Sequence, residues 1–138
     1  MTRRRPASSV GRRGERVAAR ALRRCGYSIV AKNLHVAVGE ADIVCIAPDR
    51  RTLVIVEVKT RVGRQGERER RPESQVGARK QAKLRRVAEA VRRSMRATDR
   101  PIRIDVIAVT LTKRHWPRPP RARVRHIERA VGWSERRR

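Results

Sequence analysis

The chain is 138 residues long, enough for one domain with a modest core, and its formal net charge is +25. With no Phe and only three Trp or Tyr residues, that core must be built from Val, Ile, Leu and Ala. So large an excess of positive charge predicts a polyanionic partner, of which nucleic acid is the commonest. A compositional bias toward Arg is the alternative source of the charge, since only five of the 38 basic residues are lysines.

The sequence also argues against several classes of protein. It has no run of 18 apolar residues and no apolar stretch of signal-peptide length, so we expect a cytoplasmic protein with no membrane contact. The Arg- and Ser-containing N-terminus, which lacks acids, would also suit a short transit peptide. Cys25 and Cys45 lack the spacing of zinc ligands and are predicted to be buried, reduced thiols.

The first predicted element is a helix. Residues 1–13 show no hydrophobic pattern and are expected to form a disordered basic tail. From Gly14 onward, apolar residues recur at helical spacing as far as Cys25, and Gly26 follows where a helix is expected to end.

β-Strands make up most of the remaining prediction. The second and third strands flank a turn-like Pro-Asp-Arg-Arg sequence and should form a hairpin, and residues 61–75 are a charged loop. The order αβββαβ, with an extra edge strand, implies an α/β domain at residues 14–133 with a mixed sheet flanked by helices, followed by a basic tail at 134–138. The predicted strands are residues 27–33, 39–47, 52–59, 101–111 and 123–127, and the second helix is 76–95.

Three charged residues stand in otherwise apolar strands. Glu57 and Lys59 are residues i and i+2 of the third strand and therefore project from the same face. If the second and third strands form a hairpin, Asp42 approaches Glu57 from the neighbouring strand. Two carboxylates held close favour a shared proton or a cation, and oxygen ligands of this kind suit Mg²⁺ or Mn²⁺. A simple surface ion pair between Glu57 and Lys59 fits the spacing equally well.

Seven short motifs follow one another along most of the chain. They are GERxAxxxL at 14–22, GY at 26–27, Asn33, GEADIV at 39–44, LVIVEVKTR at 53–61, ARKQAKL at 78–84 and RIDVIAV at 103–109. This ordered set resembles the YraN family, a bacterial group assigned to the restriction-endonuclease-like nuclease superfamily. Asp42 followed by Glu57-x-Lys59 is similar to the D…(D/E)-x-K signature of that superfamily. The resemblance covers roughly residues 12–133 and implies a restriction-endonuclease-like αβββαβ core, the order already predicted.

The resemblance also implies roles for individual residues. Asp42 and Glu57 would bind Mg²⁺ or Mn²⁺, and Lys59 would be the catalytic lysine. Glu15 matches a glutamate that faces the active site in the Holliday-junction-resolvase branch, although a first-turn glutamate is also favoured by the helix dipole. Gln81 matches a polar residue on the second helix of many such nucleases, although a solvated helix position needs no function.

Other polar residues carry weaker predictions. Glu40 is interpreted as a turn residue or as an acid bordering the site, and Asp105 as the partner of a buried Arg. The loop after the third strand has Gln65-Gly66 where family members usually carry Phe-Gly, which leaves its substrate contacts open. The three histidines, His35, His115 and His126, are scattered among basic residues and are not expected to act in catalysis.

The function implied by the resemblance is a metal-dependent endonuclease that hydrolyses phosphodiester bonds in DNA, branched or damaged DNA included. DNA is favoured over RNA as the partner, and pairing of two chains into a homodimer, as resolvases do, is left open. The alternative is a non-catalytic nucleic-acid-binding protein with a nuclease-like fold. A third reading, an RNA- or ribosome-associated protein, rests on charge alone and lacks the aromatic residues on which single-stranded bases stack.

Overall fold

Two helices and five strands form the structure, a computed structural model that describes residues 9–63, 77–115 and 117–132. The fold is mixed α/β, and its order, αβββαββ, confirms the predicted core together with the predicted extra edge strand. In chain order the elements are α1 Ser9–Arg24, β1 Ser28–Val36, β2 Gly39–Ile46, β3 Leu53–Gly63, α2 Ala78–Ser94, β4 Ile102–Thr112 and β5 Arg121–Ile127.

The strands form one sheet in the order β1-β2-β3-β4-β5. Strands β3 and β4 are parallel and every other neighbouring pair is antiparallel. Parallel neighbours require a crossover connection, and α2 lies in that connection. The mixed sheet with flanking helices agrees with a restriction-endonuclease-like core.

The two helices cover opposite faces of the sheet, and β3 is buried between them. Val54 and Val56 belong to the core cluster of α1, whereas Leu53 and Ile55 belong to the cluster of α2. Burial on both faces explains why this strand begins with a continuous apolar run. Because side chains alternate, the residues at 57 and 59 continue the α2 face.

Element boundaries differ most from the prediction at two places, the start of α1 and the end of β3. Helix α1 begins at Ser9, five residues early, because its exposed first turns need helix-compatible residues such as Arg rather than an apolar stripe. Strand β3 continues to Gly63, because its parallel pairing with β4 extends to the Gly63–Thr112 register. Residues 1–8 of the expected tail, residues 64–75 of the expected loop and the expected C-terminal tail at 134–138 lie outside the described residues.

The two cysteines differ in burial. Cys45 is fully buried in the α1 cluster, and this burial raises the pKa of its thiol to about 12. Cys25 is exposed, so the prediction that both thiols are buried is wrong for this residue. It follows the last residue of α1, in the turn that Gly26 completes with a φ of 87°, and this turn directs its side chain outward.

A buried ionic network joins β4 to the C-terminal residues of the described chain. Asp105 is fully buried and accepts two hydrogen bonds from Arg103, each at 2.9 Å, which confirms its predicted pairing with an Arg. Its carboxylate also lies 2.7 Å from His126 Nε2 and accepts the Arg129 backbone N–H at 3.0 Å. Burial raises the pKa of Asp105, but the hydrogen bonds from His126 and Arg103 outweigh burial, so the pKa lies below its usual value. The network fixes β5 and the following turn to the sheet.

Candidate active site

The predicted acids meet where β2 and β3 separate. The antiparallel ladder between these strands ends at the Ile43–Val56 pair, and we call the opening beyond it the β2–β3 fork. Asp42 is the first residue of β2 past the ladder, and its Oδ2 accepts the Val58 N–H at 2.8 Å. The Val58 N–H has no backbone partner on β2, because the ladder has already ended. The Asp42 carboxyl accepts this hydrogen bond instead and is thereby held against β3.

Asp42 and Glu57, which we call the carboxylate pair, lie close enough for their carboxyl groups to share a proton. The pKa of Asp42 is raised to about 7, mainly by burial and next by the negative charge of Glu57. A hydrogen bond between the two carboxyl groups acts in the same direction, whereas the Val58 N–H opposes it. The structure therefore brings together the two acids that the sequence placed on neighbouring strands, and a cation would relieve their repulsion.

Glu15 approaches this pair from the other side of the sheet. Its charge raises the pKa of Asp42, after the effects of burial and of Glu57. Gly14 allows the approach, because a Cβ at this position would collide with the Thr60 hydroxyl of β3. Glu15 Oε2 accepts a hydrogen bond of 3.2 Å from Asn33 Nδ2. Asn33 has a φ of 50°, a left-handed conformation that Asn adopts more readily than most residues.

Two lysines face the second acid of the pair. Lys80, in the first turn of α2, places its Nζ 3.2 Å from Glu57 Oε1. Burial lowers the pKa of Lys59, the positive charge of Lys80 lowers it further, and Glu57 opposes both effects. Lys59 and Lys80 therefore share the neighbourhood of one carboxylate. The sequence prediction assigned Lys59 and missed Lys80, although Lys80 is one of only five lysines and lies in the ARKQAKL motif.

The remaining predicted residues have local partners. Gln81 follows Lys80 on α2 and accepts a long hydrogen bond of 3.5 Å from Arg85, so a catalytic role for Gln81 stays a prediction. Glu40 lies in β2, where it pairs with His35 of β1 and its Oε1 lies 3.8 Å from His35 Nε2, so the interpretation as a turn residue is wrong. A role for Glu40 as an acid bordering the site stays a prediction. His126 belongs to the Asp105 network. Gln65 and Gly66 lie outside the described residues.

The donor set of the site suits a hard divalent cation. Among the described residues, no three side chains of the His, Cys, Asp and Glu types are arranged to hold a metal ion together. Mg²⁺, however, keeps several waters and is usually bound by one or two carboxylates together with substrate phosphate oxygens. Asp42 and Glu57 supply that number of carboxylates, so the residues present fit Mg²⁺ or Mn²⁺.

None of the described helices is both long enough and apolar enough to cross a lipid bilayer.

Sequence comparisons identify relatives along most of the chain. A UPF0102 protein of Syntrophotalea carbinolica is 44% identical over 101 residues, which cover 73% of this chain and 78% of that protein. One from Beutenbergia cavernae is 41% identical over 132 residues, covering 93% and 99%. Another, from Rhodopirellula baltica, is 36% identical over 126 residues, covering 89% and 70%. The profile of the Uncharacterised protein family UPF0102 matches residues 14–109, the segment that contains every predicted site residue. The chain belongs to this family, UPF0102, which is the YraN family that its motifs resemble.

Proposed function

We propose that this protein is a Mg²⁺- or Mn²⁺-dependent endonuclease that hydrolyses phosphodiester bonds in DNA. The single observation that carries the proposal is the convergence of two acids and two lysines at the β2–β3 fork. Asp42 and Glu57 lie within hydrogen-bond reach of each other. Lys80 forms an ion pair with Glu57, and Lys59 lies close enough for the negative charge of Glu57 to affect its pKa. Two acids that repel each other can bind a divalent cation, and two neighbouring amines can bind a phosphate group. Metal-dependent phosphodiester hydrolysis requires both at one site. An activity on chromosomal DNA would require the cytoplasmic location expected from the sequence.

Each side chain has a distinct role in this reaction. Asp42 and Glu57 would hold the divalent ion, which when bound supplies positive charge to a phosphodiester group. Lys59 donates hydrogen bonds to a phosphate oxygen or orients the attacking water, and Glu15 and Asn33 set the position and charge of the Asp42 side of the site. A bond forms between water oxygen and phosphorus as the phosphorus bond to the leaving oxygen breaks. That oxygen takes up a proton, and the water gives one up to solvent.

A specific contact favours a second candidate function, a nucleic-acid-binding protein that does not cleave. Lys80 already neutralises Glu57 at 3.2 Å, so the carboxylate pair has one internal cation without any metal. If that contact persists when DNA is bound, the site would bind phosphates without hydrolysing them. The two functions differ in whether a divalent ion displaces Lys80 from Glu57.

The test is a cleavage assay on linear, flapped, four-way and single-stranded DNA in the presence of Mg²⁺ or Mn²⁺. We expect cleavage that stops on addition of EDTA and is lost in Lys59→Ala and Asp42→Ala. Lys113→Ala is the matched control, because Lys113 is an exposed lysine that directly follows β4. Cleavage that survives in either site variant would reveal a contaminating nuclease. Absence of products on every substrate, together with retained binding, would favour the non-catalytic function.

A further inference from the structure

The sheet face that carries the proposed catalytic residues continues across β4 to the edge strand β5. Residues directly opposite each other on neighbouring strands share a face. The register of β3, β4 and β5 therefore defines three rows of residues that cross the sheet. These rows are Lys59–Ala108–Arg125, Arg61–Thr110–Arg123 and Gly63–Thr112–Arg121.

The far end of each row is an arginine of the edge strand. Arg121, Arg123 and Arg125, which we call the β5 arginine row, alternate along β5 and are all exposed. The strand sequence RARVRHI contains no acid. Strands lie about 4.8 Å apart, so each arginine Cα is about 10 Å from the β3 residue of its row.

The middle residue of each row has a short side chain, so the surface of the sheet is lower there than at the arginine end of the row. Strand β4 contributes Ala108, Thr110 and Thr112, whose side chains are short. Lys59 on one border and the β5 arginine row on the other thus flank a shallow strip that begins at the proposed active site. The family profile ends at residue 109, before β5 begins, so the row lies outside the segment that defines the family.

We propose that the β5 arginine row binds the sugar-phosphate backbone of a DNA duplex next to the bond that is cut. Its link to cleavage rests on the proposed function, whereas its DNA binding does not. The planar guanidinium fork of Arg matches phosphate oxygens, and binding of this kind is independent of base sequence. Single-stranded nucleic acid is recognised largely by aromatic stacking, and the three rows contain no aromatic residue, which favours a duplex.

Net charge alone would make any basic face bind DNA, so the test compares two variants of equal charge. The first is Arg121→Gln/Arg123→Gln/Arg125→Gln. The control is Arg12→Gln/Arg16→Gln/Arg20→Gln, which removes three exposed arginines from α1, on the other side of the sheet. Binding of a fluorescein-labelled DNA duplex of about 24 base pairs is followed by anisotropy in EDTA over a range of NaCl concentrations.

We expect the β5 variant to lose about 10-fold or more in affinity, and its slope of log K against log salt to fall by about 2 to 3. The control should lose less than about one unit of slope. Equal losses in the two variants would show that only net charge matters and would overturn the proposal. Tighter binding of a single strand than of the duplex by the wild type would also overturn it. If circular dichroism shows that the triple variant is misfolded, Arg123→Gln with Arg123→Lys as a partial rescue replaces it.

The same assay separates this inference from the proposed nuclease function. A binding loss in EDTA that is confined to the β5 variant would support the row even if the wild type never cleaves DNA. Conversely, a β5 variant that cleaves with an unchanged KM and binds DNA normally would overturn the proposed role of the β5 arginine row. The proposed nuclease function would be unaffected by that result.

Discussion

Lys80 Nζ lies 3.2 Å from Glu57 Oε1, so a helix of one face of the sheet supplies the counter-charge for an acid of β3. The lysine side chain is 44% exposed and that of Glu57 is 18% exposed, so the pair lies at the border between protein and solvent. A surface pair of this kind contributes little stability. Its importance is positional, because a divalent ion and Lys80 would compete for the same oxygen.

Removing this competitor should strengthen metal binding. We predict that Lys80→Ala binds Mn²⁺ about 3- to 10-fold more tightly than the wild type, because a nearby positive charge is worth about 1 kcal/mol in partly exposed surroundings. Isothermal titration calorimetry with Mn²⁺ measures this change. Lys83→Ala, three residues further along α2, is the control and should leave the affinity unchanged. Weaker binding in Lys80→Ala would mean that this lysine supports the metal site rather than competing for it.

The carboxylate pair should destabilise the folded state at alkaline pH. The pKa of Asp42 is raised from 3.8 to about 7, so the folded state binds this proton more tightly than the unfolded state, and its stabilising effect is lost as pH rises through about 7. Asp42→Asn keeps an oxygen for the Val58 N–H but cannot ionise. In EDTA we expect this variant to gain about 1 to 2 kcal/mol in free energy of unfolding at a pH of about 8, and almost nothing at a pH of about 3, below the ordinary Asp pKa of 3.8. Urea unfolding at both values measures it. A loss of stability at the higher pH would show that the carboxylate of Asp42 is stabilised rather than strained.

The Asp105 network should be a major source of stability. Asp105→Ala leaves the Arg103 guanidinium partly buried without its carboxylate, and breaking a buried ion pair in this way costs about 3 to 5 kcal/mol. Arg103→Lys keeps the charge but loses the two-pronged contact, so we expect a loss of about 1 to 2 kcal/mol. Because the pKa of Asp105 is lowered, this contribution is present at neutral pH and is lost as pH falls through the folded pKa, below 3.8. Urea unfolding measures both variants, and a loss below about 1 kcal/mol for Asp105→Ala would be inconsistent with the network.

Gly14 tests how Glu15 is placed. In Gly14→Ala the new Cβ meets the Thr60 side chain, so α1 must shift, at a cost of about 1 to 3 kcal/mol despite the better helix propensity of Ala. Gly77→Ala is the matched control, because a Cβ at Gly77 has no heavy atom within 4 Å. Thermal unfolding measures both variants. If the two substitutions have equal effects, the close approach of α1 to β3 is not needed.

Regular patterns made the strands and the acid pair predictable. Asp42 and Glu57 could be found because charges interrupt apolar strands, and a hairpin with a short turn brings such residues together. The positions of Lys80 and Asn33 could not be found in this way. Lys80 reaches Glu57 only through the docking of α2, and Asn33 reaches Glu15 only through a left-handed residue in β1. Neither long-range packing nor a single unusual dihedral leaves a periodic signal in sequence.

Beyond the Ile43–Val56 pair, β1 and β2 continue as a two-stranded arm with Asp42 at its root, while Glu57 stays in the body of the sheet. A bend of that arm would change the gap between the two acids, and with it the fit of a divalent ion bound by both carboxylates. The tip of the arm also touches α2, since a Cβ at Gly39 would lie 3.0 Å from Val87. The arm therefore packs against the helix that carries Lys80, so Asp42, Glu57 and Lys80 come from three elements whose mutual packing sets the geometry of the site.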